Sequence, residues 1–339
     1  MLGKHNSQNR MRTGWTLLVG VVVISLLVSG CAAPKPKVYR VGILSLGAAF
    51  SGITDGFKAK MTELGYVENK NVVYDAQETS VNADDRQRQI KKLVDNKVDL
   101  IFAVGSVAAI AAKDATQGTN IPVVFAYGQL EGTNLVKSVK EPGGNLTGVR
   151  YPAPEIIGHR LELLLEIAPQ AKRVWIGYRK DGPNTGLALA ALRPVASSLG
   201  VSLVEVPAAK AEELGVDLAA RAQLADPGLD AILIMPDEFN NAPDSLAMLS
   251  KFATEHKVPL AGGAASMLQQ GALFVNSTDL PNVGALAAPL ADKIFKGTPA
   301  GTIPIVTPEQ TLLINYKVAQ ALGLNVPEGL LRQATQVIR

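Results

Sequence analysis

Short apolar runs, each followed by a stretch of helical length, recur along most of this 339-residue chain, and their order repeats once. Val41-Gly-Ile-Leu-Ser-Leu reads as a buried strand, and Ile53 to Leu64 has helical spacing ended by Gly65. A strand from Asn71 to Ala76, a helix from Asp84 to Asn96 and a strand from Asp99 to Val104 follow. A helix from Val107 to Thr116 and a strand from Ile121 to Ala126 complete the first series. The second series opens at Val174, passes a helix ending at Leu199-Gly200 and a strand from Val201 to Val206, and has strands starting at Asp230 and Val258. The pairs Val41/Val174, Leu64/Leu199, Asp99/Asp230 and Ile121/Val258 lie roughly 131 to 137 residues apart. Strands alternating with helices in this way form right-handed βαβ units and a parallel sheet. The expected fold is therefore α/β, with two similar doubly wound parallel-sheet lobes joined by a multi-strand hinge.

The joints are legible as well. Glu141 to Val149 holds a turn and a short strand between the lobes, and Gly271 to Ser277 is another short strand. A helix from Val283 to Phe295 has the composition to pack back on the first lobe, and Ile303 to Pro308 forms a third crossing. The expected division is 38–148 for the first lobe, 149–275 for the second and 276–302 for the return. Residues 303–339 hold the third crossing and a C-terminal segment assigned to neither lobe. Ligands of such sheets sit beyond the carboxyl ends of the strands, which here face each other across a cleft.

The N-terminus carries an address. Lys4, Arg10 and Arg12 precede an uncharged run from Trp15 to Ser29, which is short for a membrane span of ~20 residues and matches a signal-peptide core. Leu27-Val-Ser-Gly-Cys31 looks like a bacterial lipobox, with residues 1–30 removed and Cys31 acylated. Residues 31–37, rich in proline, form a short tether. Removing 1–30 takes away three of the 33 basic residues and none of the 30 acidic ones, so the remaining chain is neutral. A neutral chain has no broad electrostatic footprint for nucleic acid. Cys31 is the one cysteine, so the fold stands on its apolar core without a disulfide.

The catalytic inventory is sparse. Beyond residue 30 only His159 and His256 remain, both in expected helices, so a zinc site lacks its ligands. The sequence holds neither a Gly-x-Ser-x-Gly elbow nor a Walker A loop. No metal and no cofactor is expected. Two carboxylates at strand ends are the minimum for glycosidase chemistry, but polar residues at strand ends fit binding better. The candidate ligand-binding residues are Ser45, Ser106, Tyr127 and Gln129 from the first lobe, Asn184, Asp237 and Ser266 from the second, and Asp279 near a crossing. Ser106 opens a helix, where its hydroxyl and the free N–H groups suit a carboxylate or simply cap the helix. Asp237 suits a ligand ammonium or hydroxyl, or caps the helix beyond Pro243. Tyr127, Tyr151 and Tyr178 offer flat faces with a polar tip, for stacking or for hinge packing.

Lys97-Val-Asp-Leu-Ile-Phe-Ala-Val, Ile121-Pro-Val-Val-Phe, Glu141-Pro-Gly-Gly-Asn-Leu-Thr-Gly-Val149, Ala168-Pro-Gln-Ala-Lys-Arg-Val174 and the tail Ile314 to Pro327 resemble the ABC-transporter substrate-binding proteins of the tryptophan/tyrosine-uptake type. The similarity runs over about residues 38 to 339. It implies a type I periplasmic-binding fold, capture of a small molecule by lobe closure, and delivery to a membrane permease with its ATPase. Asn184, Asp237 and Asp279 match polar positions of the pattern. Ala126-Tyr-Gly-Gln stands where family members often show Thr-Asp-Pro, and Gly262-Gly263 where Ser-Asp is common. These departures leave a less charged ligand or another aromatic compound beside an amino acid. The expectation is a monomeric, lipid-anchored solute-binding protein and not an enzyme. A ligand-sensing ectodomain beside a membrane receptor is the alternative.

Overall fold

In the computed structural model, residues 37–45, 47, 50–78, 83–182, 185–241 and 243–339 are described. The lipobox, Cys31 and Asn184 lie outside them. The first lobe runs β1 (Tyr39–Ser45), α1 (Ser51–Glu63), β2 (Val72–Glu78), α2 (Ala83–Asp95), β3 (Leu100–Val104), α3 (Ser106–Ala115), β4 (Val123–Gly128) and β5 (Leu146–Arg150). Its five strands are parallel and ordered β2-β1-β3-β4-β5. All of β3 is buried, as a central parallel strand covered on both faces must be. One apolar cluster, including Val41, Phe57 and Phe102, fills one face, and another, including Leu93, Ile101 and Phe125, fills the other.

The second lobe starts with α4 (Ala153–Ile167), β6 (Arg173–Arg179), α5 (Thr185–Ser198), β7 (Ser202–Ala208), α6 (Ala211–Arg221) and β8 (Ala231–Leu233). It continues with α7 (Glu238–Asn241), α8 (Pro243–Glu255), β9 (Leu260–Gly262), α9 (Ser266–Gln269) and β10 (Phe274–Thr278). The chain then leaves as α10 (Leu280–Phe295) and returns as β11 (Gln310–Asn315), α11 (Tyr316–Ala321), α12 (Glu328–Gln333) and β12 (Gln336–Ile338). The sheet order is β12-β11-β10-β9-β8-β6-β7, parallel throughout except for the antiparallel β10–β11 pair. Pro207 sits on the edge strand β7, where a missing N–H costs no ladder bond. The architecture is thus two α/β lobes, each a mainly parallel sheet with helices on both faces.

Segment 271–277, read as a joint, contributes β10 to the interior of the second sheet, and the C-terminal segment completes that sheet with β11 and β12. Helix α10 belongs to the first lobe's core, with Val283, Ala287 and Ala291 packed in the cluster of Ile53, Phe57 and Met61. The approach of α10 to α1 is close enough to require glycine on both. A Cβ at Gly284 would lie 1.8 Å from the Ile53 carbonyl oxygen, and one at Gly56 would lie 2.0 Å from that of Pro281. Three passages of chain therefore connect the lobes, after β5, after β10 and before β11. At the first and third, the Arg150 N–H donates to Val306 O (2.9 Å) and its Nε donates to Thr307 Oγ1 (3.0 Å). The Arg150 guanidinium also pairs with Glu131 and Glu155. Tyr39–Arg339 consequently holds together as one packed unit.

Candidate functional site

A cavity of about 640 Å³ opens between the lobes, at the carboxyl ends of the strands. The first-lobe wall includes Phe50, Gly52 and Tyr127, and the start of α10 adds Asp279, Leu280 and Pro281. The second-lobe wall includes Arg160, Met235, Gly263, Ser266, Ser277 and Thr278. Tyr151, on the first passage, and Thr311, beyond the third, also line it.

The backbone of β4 explains the aromatic wall. The β4–β5 register shifts between Ala126 and Gly128, and Tyr127 takes a left-handed φ of 61°. A bulge re-aims a side chain out of strict alternation, and holding a non-glycine residue there costs of order 1–3 kcal/mol. The ring so placed stacks on Tyr151, with centroids 4.2 Å apart at 23°, and meets Phe50 at 5.5 Å. Burial, chiefly, and the neighbouring Tyr151 hydroxyl push the Tyr127 phenol well above its usual range, so it stays neutral and keeps its proton.

Arg160 dominates the other wall. It lies on the inward stripe of α4 with Ile156, Ile157, Leu161 and Leu164, and is 1 % exposed. Nη1 donates to Ile234 O and Nη2 to Asn276 O (2.7 Å), which fixes the guanidinium to the ends of β8 and β10. Burial lowers its pKa from the ordinary guanidinium value, while Tyr151 and Tyr127 beside it partly offset that. Asp279 stands at the N-cap of α10, exposed to the cleft, and makes no side-chain cap bond.

Of the candidate residues, Tyr127, Ser266 and Asp279 line the cavity. The others that are described have different partners. Ser45 Oγ accepts from Gly47 N at 3.3 Å. Ser106 Oγ accepts from Gln129 N at 2.9 Å, and the Gln129 side chain reaches Glu131 O at 3.4 Å, so both stabilise the turn after β4. Asp237 is 9 % exposed and accepts from Arg179 N (2.9 Å) and Phe239 N (2.7 Å), which ties β6 to the start of α7. Arg160, Phe50 and Thr278 were not among the candidates. The signal for Arg160 was present in the sequence, as a charge at helical spacing between Ile156 and Leu164 on an otherwise apolar stripe. His159 meets Gln310, and His256 stacks on Phe252. Among the described residues no group of three His, Cys, Asp or Glu is placed to hold a metal, and no helix is long and apolar enough to cross a membrane.

The family model for ABC transporter substrate binding proteins matches residues 41–338. A tyrosine-binding protein of Clostridioides difficile (strain R20291) is 28% identical over 324 residues, 91% of each chain. Among solved structures, a conserved domain protein from Vibrio cholerae aligns with a TM-score of 0.76 at 25% identity, covering 89% of this chain and 100% of that one. The ligand-free, open structure of a substrate binding protein with adhesive properties from Clostridium difficile aligns with a TM-score of 0.70 at 25% identity, covering 89% and 99%. An ABC domain in complex with L-Trp from Streptococcus pneumonia shares the fold, with a TM-score of 0.74 at 24% identity over 89% and 100%. The chain belongs to the ABC transporter substrate-binding protein family, whose members bind solutes and are not enzymes.

Proposed function

We propose that the protein captures an amino acid with an aromatic side chain in the interlobe cleft and delivers it to the permease and ATPase of an ABC importer. The observation that carries this reading is the wall formed by Phe50, Tyr127 and Tyr151, facing a cavity that also holds the uncapped Asp279 carboxylate. Stacked rings offer flat apolar faces, and a carboxylate without a side-chain partner suits an ammonium leaving water. The tyrosine-binding relative supports the same class of ligand. Because the cavity walls come from both lobes, a ligand touching both favours closure, by as much as it binds the closed form better than the open one. The lipobox-like segment ending at Cys31 supports an extracytoplasmic, lipid-anchored protein working beside its permease.

The test is a thermal-shift screen of the protein against the twenty amino acids. A ligand at one hundred times its Kd stabilises the folded form by about 2.7 kcal/mol. Tyrosine, tryptophan or phenylalanine raises the melting temperature if the reading is right, and a rise with aliphatic or acidic amino acids alone refutes it. For the anchor, Cys31→Ser moves the protein from the membrane fraction to the soluble one, and unchanged partition rejects acylation.

A further inference from the structure

A buried guanidinium needs a counter-charge as well as neutral acceptors. Arg160 has five N–H donors. It gives one to Ile234 O and one to Asn276 O, the Tyr151 hydroxyl is a further hydrogen-bonding neighbour, and its Nε has no hydrogen-bond partner. Among the described residues no carboxylate pairs with it; its electrostatic neighbours are the two tyrosines. An unpaired buried cation is costly, and cores hold such a charge only where a counter-charge arrives. The guanidinium is among the groups that line the cavity. A Cβ at Gly263, which lines the same cavity, would stand 3.2 Å from Nη1 and 3.3 Å from Nη2, so glycine spares the guanidinium a tight contact on that side.

We propose that Arg160 is the specificity-determining anchor for the ligand's carboxylate, and that this site selects aromatic acids over the corresponding amines. The proposal rests on the cleft being the ligand site and deepens that reading. The planar guanidinium offers paired N–H groups to a carboxylate, a geometry that lysine does not reproduce. The carbonyls of Ile234 and Asn276 hold it in place before the ligand arrives, so little side-chain entropy is lost on binding. Asp279 lies across the same cavity, and the aromatic wall stands beside them. A zwitterion with a ring would thus meet a cation, an anion and stacked tyrosines.

Calorimetry with matched ligands tests this. L-tyrosine is compared with tyramine, L-tryptophan with tryptamine, and 4-hydroxyphenylacetate is added as an acid without an amine. Tyramine and tryptamine keep the ring and the ammonium and lose only the carboxylate. They are expected to bind at least about thirtyfold more weakly than the amino acids, as for loss of one partner of a buried charge pair. Arg160→Gln removes that difference by weakening the carboxylate ligands more than the amines, and Arg160→Lys restores part of it. Gly263→Ala weakens the carboxylate ligands more than the amines. The ligand series requires no variant, so it decides even if Arg160→Gln does not fold. Equal affinity for tyrosine and tyramine overturns the role of Arg160, and so does discrimination that survives in Arg160→Gln. Binding of 4-hydroxyphenylacetate without tyrosine or tryptophan keeps Arg160 and overturns the amino-acid reading. Failure of every carboxylate in the panel to bind overturns both.

Discussion

The contact of α10 with α1 makes Gly284→Ala the most telling single change in the molecule. The added methyl group would lie 1.8 Å from Ile53 O and 2.7 Å from Phe57 N. Both are backbone atoms, so no rotamer change relieves the clash. Reaching an ordinary contact of about 3.5 Å parts the two helices locally by about 1.7 Å. That shift strips packing from Val283 and Ala287 against Ile53, Phe57 and Met61, all fully buried. Overpacking of this kind costs about 3 kcal/mol, and alanine returns about 1 kcal/mol of helix propensity. The net loss is about 2 kcal/mol, or a fall in melting temperature of about 4 °C for a chain of this size. Ligand affinity falls too, because the first turn of α10 carries Leu280 and Pro281 into the cavity wall. Gly186→Ala in α5 is the control: its Cβ meets nothing within 4 Å, and the site is exposed. It is expected to hold or raise stability, by up to about 1 kcal/mol. Melting followed by circular dichroism, with and without ligand, reads both effects. A Gly284→Ala protein that melts with or above the parent would refute the close-approach argument.

Three further changes test the site and its supports. Asp237→Ala leaves Arg179 N and Phe239 N without their acceptor and lowers stability by about 1–3 kcal/mol, while ligand affinity changes little; unchanged melting with a more than tenfold loss of affinity makes Asp237 a ligand residue instead. Asp279→Asn weakens tyrosine by about ten- to a hundredfold and leaves 4-hydroxyphenylacetate unaffected, since the acid has no ammonium; equal loss for both ligands removes Asp279 as the ammonium acceptor. The third concerns acid. Side-chain bonds from Arg173 hold Asp226 at about 2, and the same arginine with two backbone N–H groups keeps Asp230 below its usual 3.8 despite a counteracting burial. Depressed carboxyl pKa values contribute stability above the unfolded value near 3.8, and that contribution fades as pH falls toward about 2. Arg173→Gln therefore flattens the loss of stability between about pH 4 and 2, seen in acid-unfolding curves; an unchanged slope there contradicts the assignment.

The order of strands and helices was legible because burial on both faces writes itself as short apolar runs, as in Val41 to Leu44 and Leu100 to Val104. Segments that cross between lobes were harder to place. Phe274 to Thr278 is too short to declare which sheet it joins, and β11 and β12 are specified by pairing partners far away in sequence. The cleft was legible as a location, at strand carboxyl ends, but less so in its chemistry. Ser106, Gln129 and Asp237 stand at such ends and carry polar groups, yet backbone N–H groups or neighbouring carbonyls had already engaged them.

What the sequence determines alone is local: the alternating apolar period, the lipobox-like pattern ending at Cys31, and the neutral charge beyond residue 30. What the tertiary structure decides is which groups are left over after folding has used the rest. Tyr127 reaches the cleft because a bulge turns it there, and Arg160 is buried with an unpaired Nε and with carbonyls and phenols, but no carboxylate, beside it. Both facts depend on which polar groups remain unsatisfied in three dimensions, and linear spacing does not carry that information.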